Sequence, residues 1–355
     1  MGGRAVVVGG GIGGLAAGIG LRAAGWEVTV LERSAALPDS GTGLGIWPGA
    51  MRALDALGVG DEVRRRGRRQ AGGSIRRPDG SRIATIDVDR LERRHGEPVH
   101  LVTRPVLLAA LAGALPAAAL RLGEPVTDPG SLLDAYDLVV GADGINSVVR
   151  AAMHGGRYPL RYAGAVAWRG VVDLDLDPGE GGETWGRGRK FGLTPAGPGR
   201  TNWYAAVRLP EGHPAPPDDR AELRRLFGDW HRPVPQVLDA LTPEGILRHE
   251  IRDLTPLPSY VAGRTALLGD AAHAMTPDLG QGACQALVDA VALADCVREA
   301  GDLHAALLAY DRRRRRPTQR IAAGARWAGR LSGVRRLLPV RDALLRVALA
   351  TGPPA

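Results

Sequence analysis

The chain has 355 residues, 45% hydrophobic and 24% charged, which excludes a disordered chain and leaves length for about two domains. Its formal charge of +8 comes almost wholly from arginine, and the runs Arg64–Arg69 and Arg312–Arg316 carry neither interleaved aromatics nor a nucleic-acid motif, so no nucleic-acid partner is expected. No stretch approaches the roughly 20 apolar residues that cross a bilayer, so no integral membrane association is expected. Cys284 and Cys296 are the only cysteines and fall on one expected helix, so they read as core thiols, with no disulfide or metal site.

In chain order, the first signal is Val6-Val-Val8 followed by Gly9, Gly11 and Gly14 in the G-x-G-x-x-G pattern, with Ile12 and Gly13 inside it. Such glycines allow a tight turn and bring helix N–H groups against a pyrophosphate. An alanine-rich helix is expected from Leu15 to Ala24, then a strand Glu27–Leu31. That strand ends at Glu32 and Arg33, with Glu32 at about the spacing of an acid for a ribose 2′-hydroxyl. A glycine run, Gly41 to Gly45, precedes a helix from Pro48 to Leu57. Ser74–Val88 reads as a hairpin turning at Pro78-Asp-Gly80.

Leu101-Val-Thr-Arg104-Pro105 opens a further apolar helix, and Leu138-Val-Val140 leads into Gly141-Ala-Asp143-Gly144. From 156 to 260 the chain turns strand-rich, with strands at Ala163–Val172, Lys190–Thr194, Asn202–Leu209 and Leu247–Leu254 and a helix at Ala221–Gly228. Alternation puts Trp203 and Ala205 on one face, and Asn202, Tyr204 and Ala206 on the other. Val166, Trp168 and Gly170 oppose Ala167 and Arg169 in the same way. Which face meets a ligand stays open. Next come Ala266-Leu-Leu268, Gly269-Asp270-Ala-Ala-His273 and Pro277-Asp-Leu-Gly280-Gln-Gly282-Ala283, then a helix to Val297 whose N-terminal end suits negative charge. Arg312–Arg316 reads as a solvated face, and Trp327–Ala350 as an amphipathic helix, docked on the body in preference to lying on a membrane.

These three glycine-marked turns, in this order and spacing, resemble the FAD-dependent aromatic hydroxylases, the single-component monooxygenases typified by p-hydroxybenzoate and salicylate hydroxylases. The resemblance runs from Arg4 to about Arg316. It implies an α/β fold, with an FAD-binding Rossmann-like domain of the glutathione-reductase type interleaved with a β-sheet substrate domain and followed by a C-terminal helical segment. The expected FAD-binding portions are 1–72, 99–155 and 261–320; 73–98 and 156–260 would bind substrate, and 321–355 would form the helical tail. By resemblance Asp143 and Gly144 touch flavin and the nicotinamide donor, Asp270 holds the ribityl chain, Arg104 contacts the pyrophosphate side and Val126 lies beside the adenine. Gly45 would pass the isoalloxazine ring, which Pro277, Gly280, Gly282 and Ala283 would also approach. The chain departs from the family between Arg121 and Asp137, where Thr127–Ser131 replaces a hairpin.

The implied activity uses non-covalent FAD, NADH or NADPH, and O2 to hydroxylate or epoxidise a small aromatic or polyketide-like molecule through a flavin C4a-hydroperoxide. Arg189, Tyr204 and Pro277 are the candidates for the chemistry, Arg189 or Tyr204 favouring an ionised phenol. His273 reads as a structural hydrogen-bonder. The alternatives are a reductase or dehydrogenase of the same fold, or a flavin redox partner without turnover. A first strand beginning near Arg4 leaves no room for a signal peptide, so a cytoplasmic protein is expected. The sequence does not separate a monomer from a homodimer.

Overall fold

Short valine runs buried on both faces set the architecture. Val6, Val7, Val139 and Val140 are all essentially inaccessible, as strands inside a parallel sheet must be. In the computed structural model, which describes residues 2–39, 41–70, 72–177 and 179–351, they lie at the centre of a six-stranded sheet. Its order is Val261–Ala262, Thr265–Leu267, Leu138–Gly141, Arg4–Val8, Glu27–Glu32 and Leu120–Leu122. Every neighbouring pair is parallel except the first, which is antiparallel. Helix Ile12–Ala23 follows the first strand and packs closely on its surroundings through glycine: a Cβ at Gly18 would lie 2.9 Å from Val30, and one at Gly20 2.9 Å from Ala294 of helix Gly282–Glu299. Between Leu122 and Leu138 the described residues form only the short helix Leu132–Ala135. That edge is trimmed, as the shortened segment suggested.

A second sheet has seven strands in the order Leu247–Leu254, Leu160–Val172, Arg200–Val207, Arg189–Gly197, Gly182–Trp185, Gly73–Arg76 and Arg82–Ile86. All four expected strands of the middle section are present, and the expected hairpin turns at Gly80 with φ of 84°. Gly182–Trp185 is the strand the pattern missed. It is too short and glycine-rich to stand out, yet it joins the hairpin to the sheet by pairing parallel with Gly73–Arg76. One face of this sheet is sealed by helices Asp219–Phe227 and Val234–Asp239 over Trp168, Phe191, Trp203 and Trp230. Phe191 and Trp203 stack with centroids 5.8 Å apart. The face left open by the sequence is thereby decided: Trp203 and Ala205 turn to these helices, and Asn202, Tyr204 and Ala206 turn away from them. A small three-stranded sheet, Gly43–Ile46, His100–Thr103 and Arg68–Arg69, completes the set.

The arginine runs behave differently from one another. Arg64 pairs with Asp55 and Glu97, Arg65 and Arg66 with Glu62, and Arg69 with Asp89 and Glu92, so most of the first run is paired on the protein itself. The second run corrects an expectation. Arg312, Arg313 and Arg316 are exposed on helix Leu303–Ser332, but Arg314 is buried. It donates from Nε to Asp289 at 2.6 Å and from Nη2 to Gln285 at 2.6 Å.

Asp289 is wholly buried and also accepts from the Gly269 amide at 3.0 Å and from His273 Nε2 at 2.5 Å. Burial alone would raise its pKa; His273, Arg314 and the Gly269 amide more than offset this and hold it at about 2, against an ordinary 3.8. Because the folded value is depressed, the carboxylate's contribution is complete above pH 3.8 and is lost as pH falls through about 2. Asp289→Asn leaves Arg314 buried without its counter-charge, and should cost on the order of 3–5 kcal/mol. Chemical denaturation should show that gap at neutral pH and a smaller one below about pH 4; equal stability at neutral pH would refute the role.

Candidate active site

Three strand ends of the parallel sheet are stitched to one another. The Gly9 amide donates to Leu31 O at 2.7 Å, Ala142 N to Val8 O at 2.8 Å and Leu268 N to Gly141 O at 3.0 Å. The three glycine-marked turns therefore lie side by side, where open α/β sheets receive ligands. Gly9 has φ of +108°, and a Cβ on it would lie 2.4 Å from Ala142 O; one on Gly14 would lie 1.8 Å from Gly9 O. The turn tolerates nothing larger. Gly11, by contrast, has no atom within 4 Å of such a Cβ and faces open space.

Two long helices begin here with no side-chain cap: Ile12–Ala23 at Gly11, and Gly282–Glu299 at Gln281. Their first amides and positive dipole ends are left for an anionic or polar ligand. Ile12 and Gly13 are buried in the first turn, and Ala283 is half-buried in the second. Glu32 is held by the Gly10 amide at 2.7 Å and the Ser34 amide at 2.9 Å, with Arg33 exposed beside it. Val126 is half-buried.

Asp143 accepts from the Val148 and Val149 amides at 2.7 and 3.2 Å and from the Ser147 hydroxyl. It thus anchors the start of helix Val148–His154, while Gly144 turns the chain at φ of 78°. Arg150, which the sequence reading left without a role, joins the second turn to the third. It is buried, donating to Ile145 O at 2.6 Å and to Ala271 O at 3.1 Å. Asp270 remains accessible to solvent although protein surrounds it closely; that burial raises its pKa, with His273, Arg104 and Arg150 opposing. Arg104 is exposed at the start of helix Arg104–Gly113, its amide bonded to Thr42 O. Pro277 is exposed in the turn Pro277–Leu279, and Gly280 follows at φ of 61° near Trp47. Gly45 accepts from the buried Cys284 thiol at 3.3 Å.

The uncovered face of the seven-stranded sheet meets these turns. Asn202 Oδ1 accepts from the Gly43 amide at 2.9 Å, tying that face to the glycine run. Lys190 is buried, with Nζ 3.0 Å from Asp278 and 3.4 Å from Glu183. Burial would lower its pKa, but the two carboxylates prevail and raise it, so it stays charged. The Tyr204 hydroxyl donates to Glu183, and the Lys190 ammonium lies 5.8 Å from its ring centroid. Burial first, and the Glu183 charge second, push the Tyr204 phenol well above its ordinary range. Lys190 and Asp278 also line a small recess that opens to solvent.

Arg189 corrects an expectation. Its guanidinium lies over Phe227 and Trp230, 5.8 and 5.6 Å from their centroids, on the helix-covered side. Strand alternation separates it from its neighbour, and Lys190 takes the cationic place beside Tyr204. Arg169, directly opposite Tyr204 on the next strand, and His249 share the uncovered face. Burial and Arg169 lower the His249 pKa to about 4, so it is neutral near pH 7.

An adenine dinucleotide flavin fits these features: glycines with no room for a side chain, two uncapped helix ends, and charged groups spaced along one cleft. The fold and cleft define an FAD-binding oxidoreductase. Residues 4–325 match the FAD binding domain family, and the chain belongs to it. It is 38% identical to an aurachin C monooxygenase/isomerase of Stigmatella aurantiaca, over 92% of this chain and 88% of that one. An FAD-dependent urate hydroxylase of Klebsiella pneumoniae is 34% identical over 88% and 85%. The crystal structure of Klebsiella pneumoniae HpxO complexed with FAD and uric acid superposes with a TM-score of 0.89 at 31% identity, covering 97% of this chain and 92% of that one. The chain is an FAD-dependent monooxygenase that uses NAD(P)H and O2.

Gly192 lies opposite Tyr204, and a Cβ there would fall 2.1 Å from the phenol ring. Gly192→Ala must displace that ring. Product formation should drop on the order of 10²-fold with FAD content unchanged, as read by flavin absorbance and product assay; full activity would mean that the ring's position is irrelevant.

Proposed function

We propose that the substrate is a small aromatic or heteroaromatic molecule with an acidic O–H or ring N–H, held between the flavin and the Asn202–Tyr204–Lys190 face. The Tyr204 hydroxyl carries the argument. Its proton is committed to Glu183, so its oxygen is left to accept a hydrogen bond from the substrate. Tyr204 is too weak an acid to ionise itself, and it orients a substrate whose own proton is the more acidic. Relatives named for urate, 3-amino-4-hydroxybenzoate and 6-hydroxynicotinate all act on rings of this kind. Bound FAD would take electrons from NADH or NADPH and supply the activated oxygen.

The remaining roles belong to the chain. In this reading Gly9, Gly11, Ile12, Gly13 and Gly14 present the first helix to the pyrophosphate, Glu32 and Arg33 meet the adenosine ribose, and Val126 the adenine. Arg104 adds a cation on the pyrophosphate side, Asp270 holds the ribityl chain, and Gly45, Pro277, Gly280, Gly282 and Ala283 border the ring. Negative charge on the ring is stabilised by the uncapped end of helix Gly282–Glu299. Asp143 and Gly144 shape the turn where the nicotinamide donor arrives. Lys190, kept charged by Asp278 and Glu183, favours negative charge on the substrate and helps to exclude water. The free, buried thiols Cys284 and Cys296 suit a reducing cytoplasm.

The test is NAD(P)H oxidation by FAD-loaded protein against phenols, quinolones and polyketide aromatics under labelled O2. One compound should accelerate oxidation and gain a single labelled oxygen atom. Tyr204→Phe should then lower product per NAD(P)H consumed, because the acceptor that orients the substrate is lost. Acceleration by none of these compounds, or only by one lacking an acidic O–H or ring N–H, would overturn the proposed substrate class.

A further inference from the structure

The C-terminal segment is apolar on two opposite faces, and only one of them is used. Helix Leu338–Thr351 docks through Arg341, Asp342 and Leu345. Arg341 donates to Gly186 O at 2.8 Å, Asp342 pairs with Arg77 at 2.9 Å, and Leu345 joins Ile75, Ile83 and Trp185. These buried contacts hold the helix in one orientation. Its outward side then presents Val340, Leu344 and Val347, in line with Leu337 just before the helix, exposed at 53, 49, 64 and 74%. Their spacing of three and four residues makes one continuous stripe. Trp327, 51% exposed, precedes it on helix Leu303–Ser332.

Charge identifies what covers the stripe. Between Trp327 and Thr351 the only acid is Asp342, which is buried and paired, whereas Arg330, Arg335, Arg336 and Arg346 are all exposed. An apolar stripe edged by arginines complements an anionic lipid surface, with the side chains in the acyl boundary and the guanidinium groups at the headgroups. A two-fold contact between copies through this segment would bring the same arginines together, with no acid of the segment to receive them. The helix has 14 residues, about 21 Å, too short to cross the roughly 30 Å hydrocarbon core. We propose that Leu337, Val340, Leu344 and Val347, flanked by Arg330, Arg335 and Arg336, form a docking face for the surface of an anionic lipid bilayer.

The test is co-sedimentation of the full-length, FAD-loaded protein with sucrose-filled vesicles of phosphatidylcholine alone or with 30% phosphatidylglycerol (roughly the anionic fraction needed for a surface potential). Binding should be confined largely to the anionic vesicles and should weaken as salt rises. Val340→Glu with Leu344→Glu should reduce it at least about tenfold, while flavin absorbance and the unfolding midpoint stay unchanged. Should that variant fail to fold, Arg336→Glu leaves the stripe intact and should still weaken anionic binding about fivefold. Absence of binding to either vesicle overturns the proposal. So does a concentration-dependent dimer in light scattering that the same substitutions abolish, since the stripe would then belong to a second copy.

Discussion

A single buried carboxylate, Asp289, holds the third turn of the cofactor cleft to the helices behind it. It accepts from the Gly269 amide, from His273 and from Arg314, and so connects the strand end at Leu267, helix Gly282–Glu299 and helix Leu303–Ser332. An ionised group with no access to water is tolerable only when its lone pairs are all engaged. That requirement makes the arrangement unforgiving: the turn, the histidine and the arginine must be placed together. With the turn immobilised, Asp270 and the start of helix Gly282–Glu299 keep a constant relation to the first glycine turn, whose own geometry is set by collisions that only glycine avoids.

The opposite wall depends on the same economy of small residues. Tyr204 lies across Gly192 because that residue has no side chain to project. Its hydroxyl meets Glu183, which meets Lys190, which meets Asp278 on the turn beside Pro277. One cation shared by two carboxylates spans the gap between the seven-stranded sheet and the cofactor turns. Asn202 makes a second bridge, to Gly43. Polar contacts thus join the seven-stranded sheet to the turn at Pro277 and to the glycine run, with the aromatic core kept on the far face.

The cofactor side was legible because its constraints are local. A tight turn with positive φ demands glycine, a strand buried on both faces demands an apolar run, and the uncapped starts show as Gly11 and Gln281 where serine or aspartate would otherwise stand. The hairpin at Pro78–Gly80 and strand Leu247–Leu254 were readable on the same grounds. Gly182–Trp185 was not, since its pairing with Gly73–Arg76 supplies the stability that its composition lacks. Arg314 carried no local sign of burial either; Arg312, Arg313 and Arg316 in the same run are exposed, and only the placement of Asp289 on another helix draws it inward.

By itself the sequence determined the class of cofactor site, the order of its three turns and the alternation of each substrate-sheet strand. The tertiary structure decided which face of that sheet is left uncovered, and therefore that Lys190 rather than Arg189 stands beside Tyr204. Period-two alternation divides a strand into two faces but leaves both equivalent until something packs on one of them. Here helices Asp219–Phe227 and Val234–Asp239 close over the tryptophans and phenylalanines, because burying those rings outweighs any local preference along the strand. The polar face is left to meet the glycine run and the turn at Pro277.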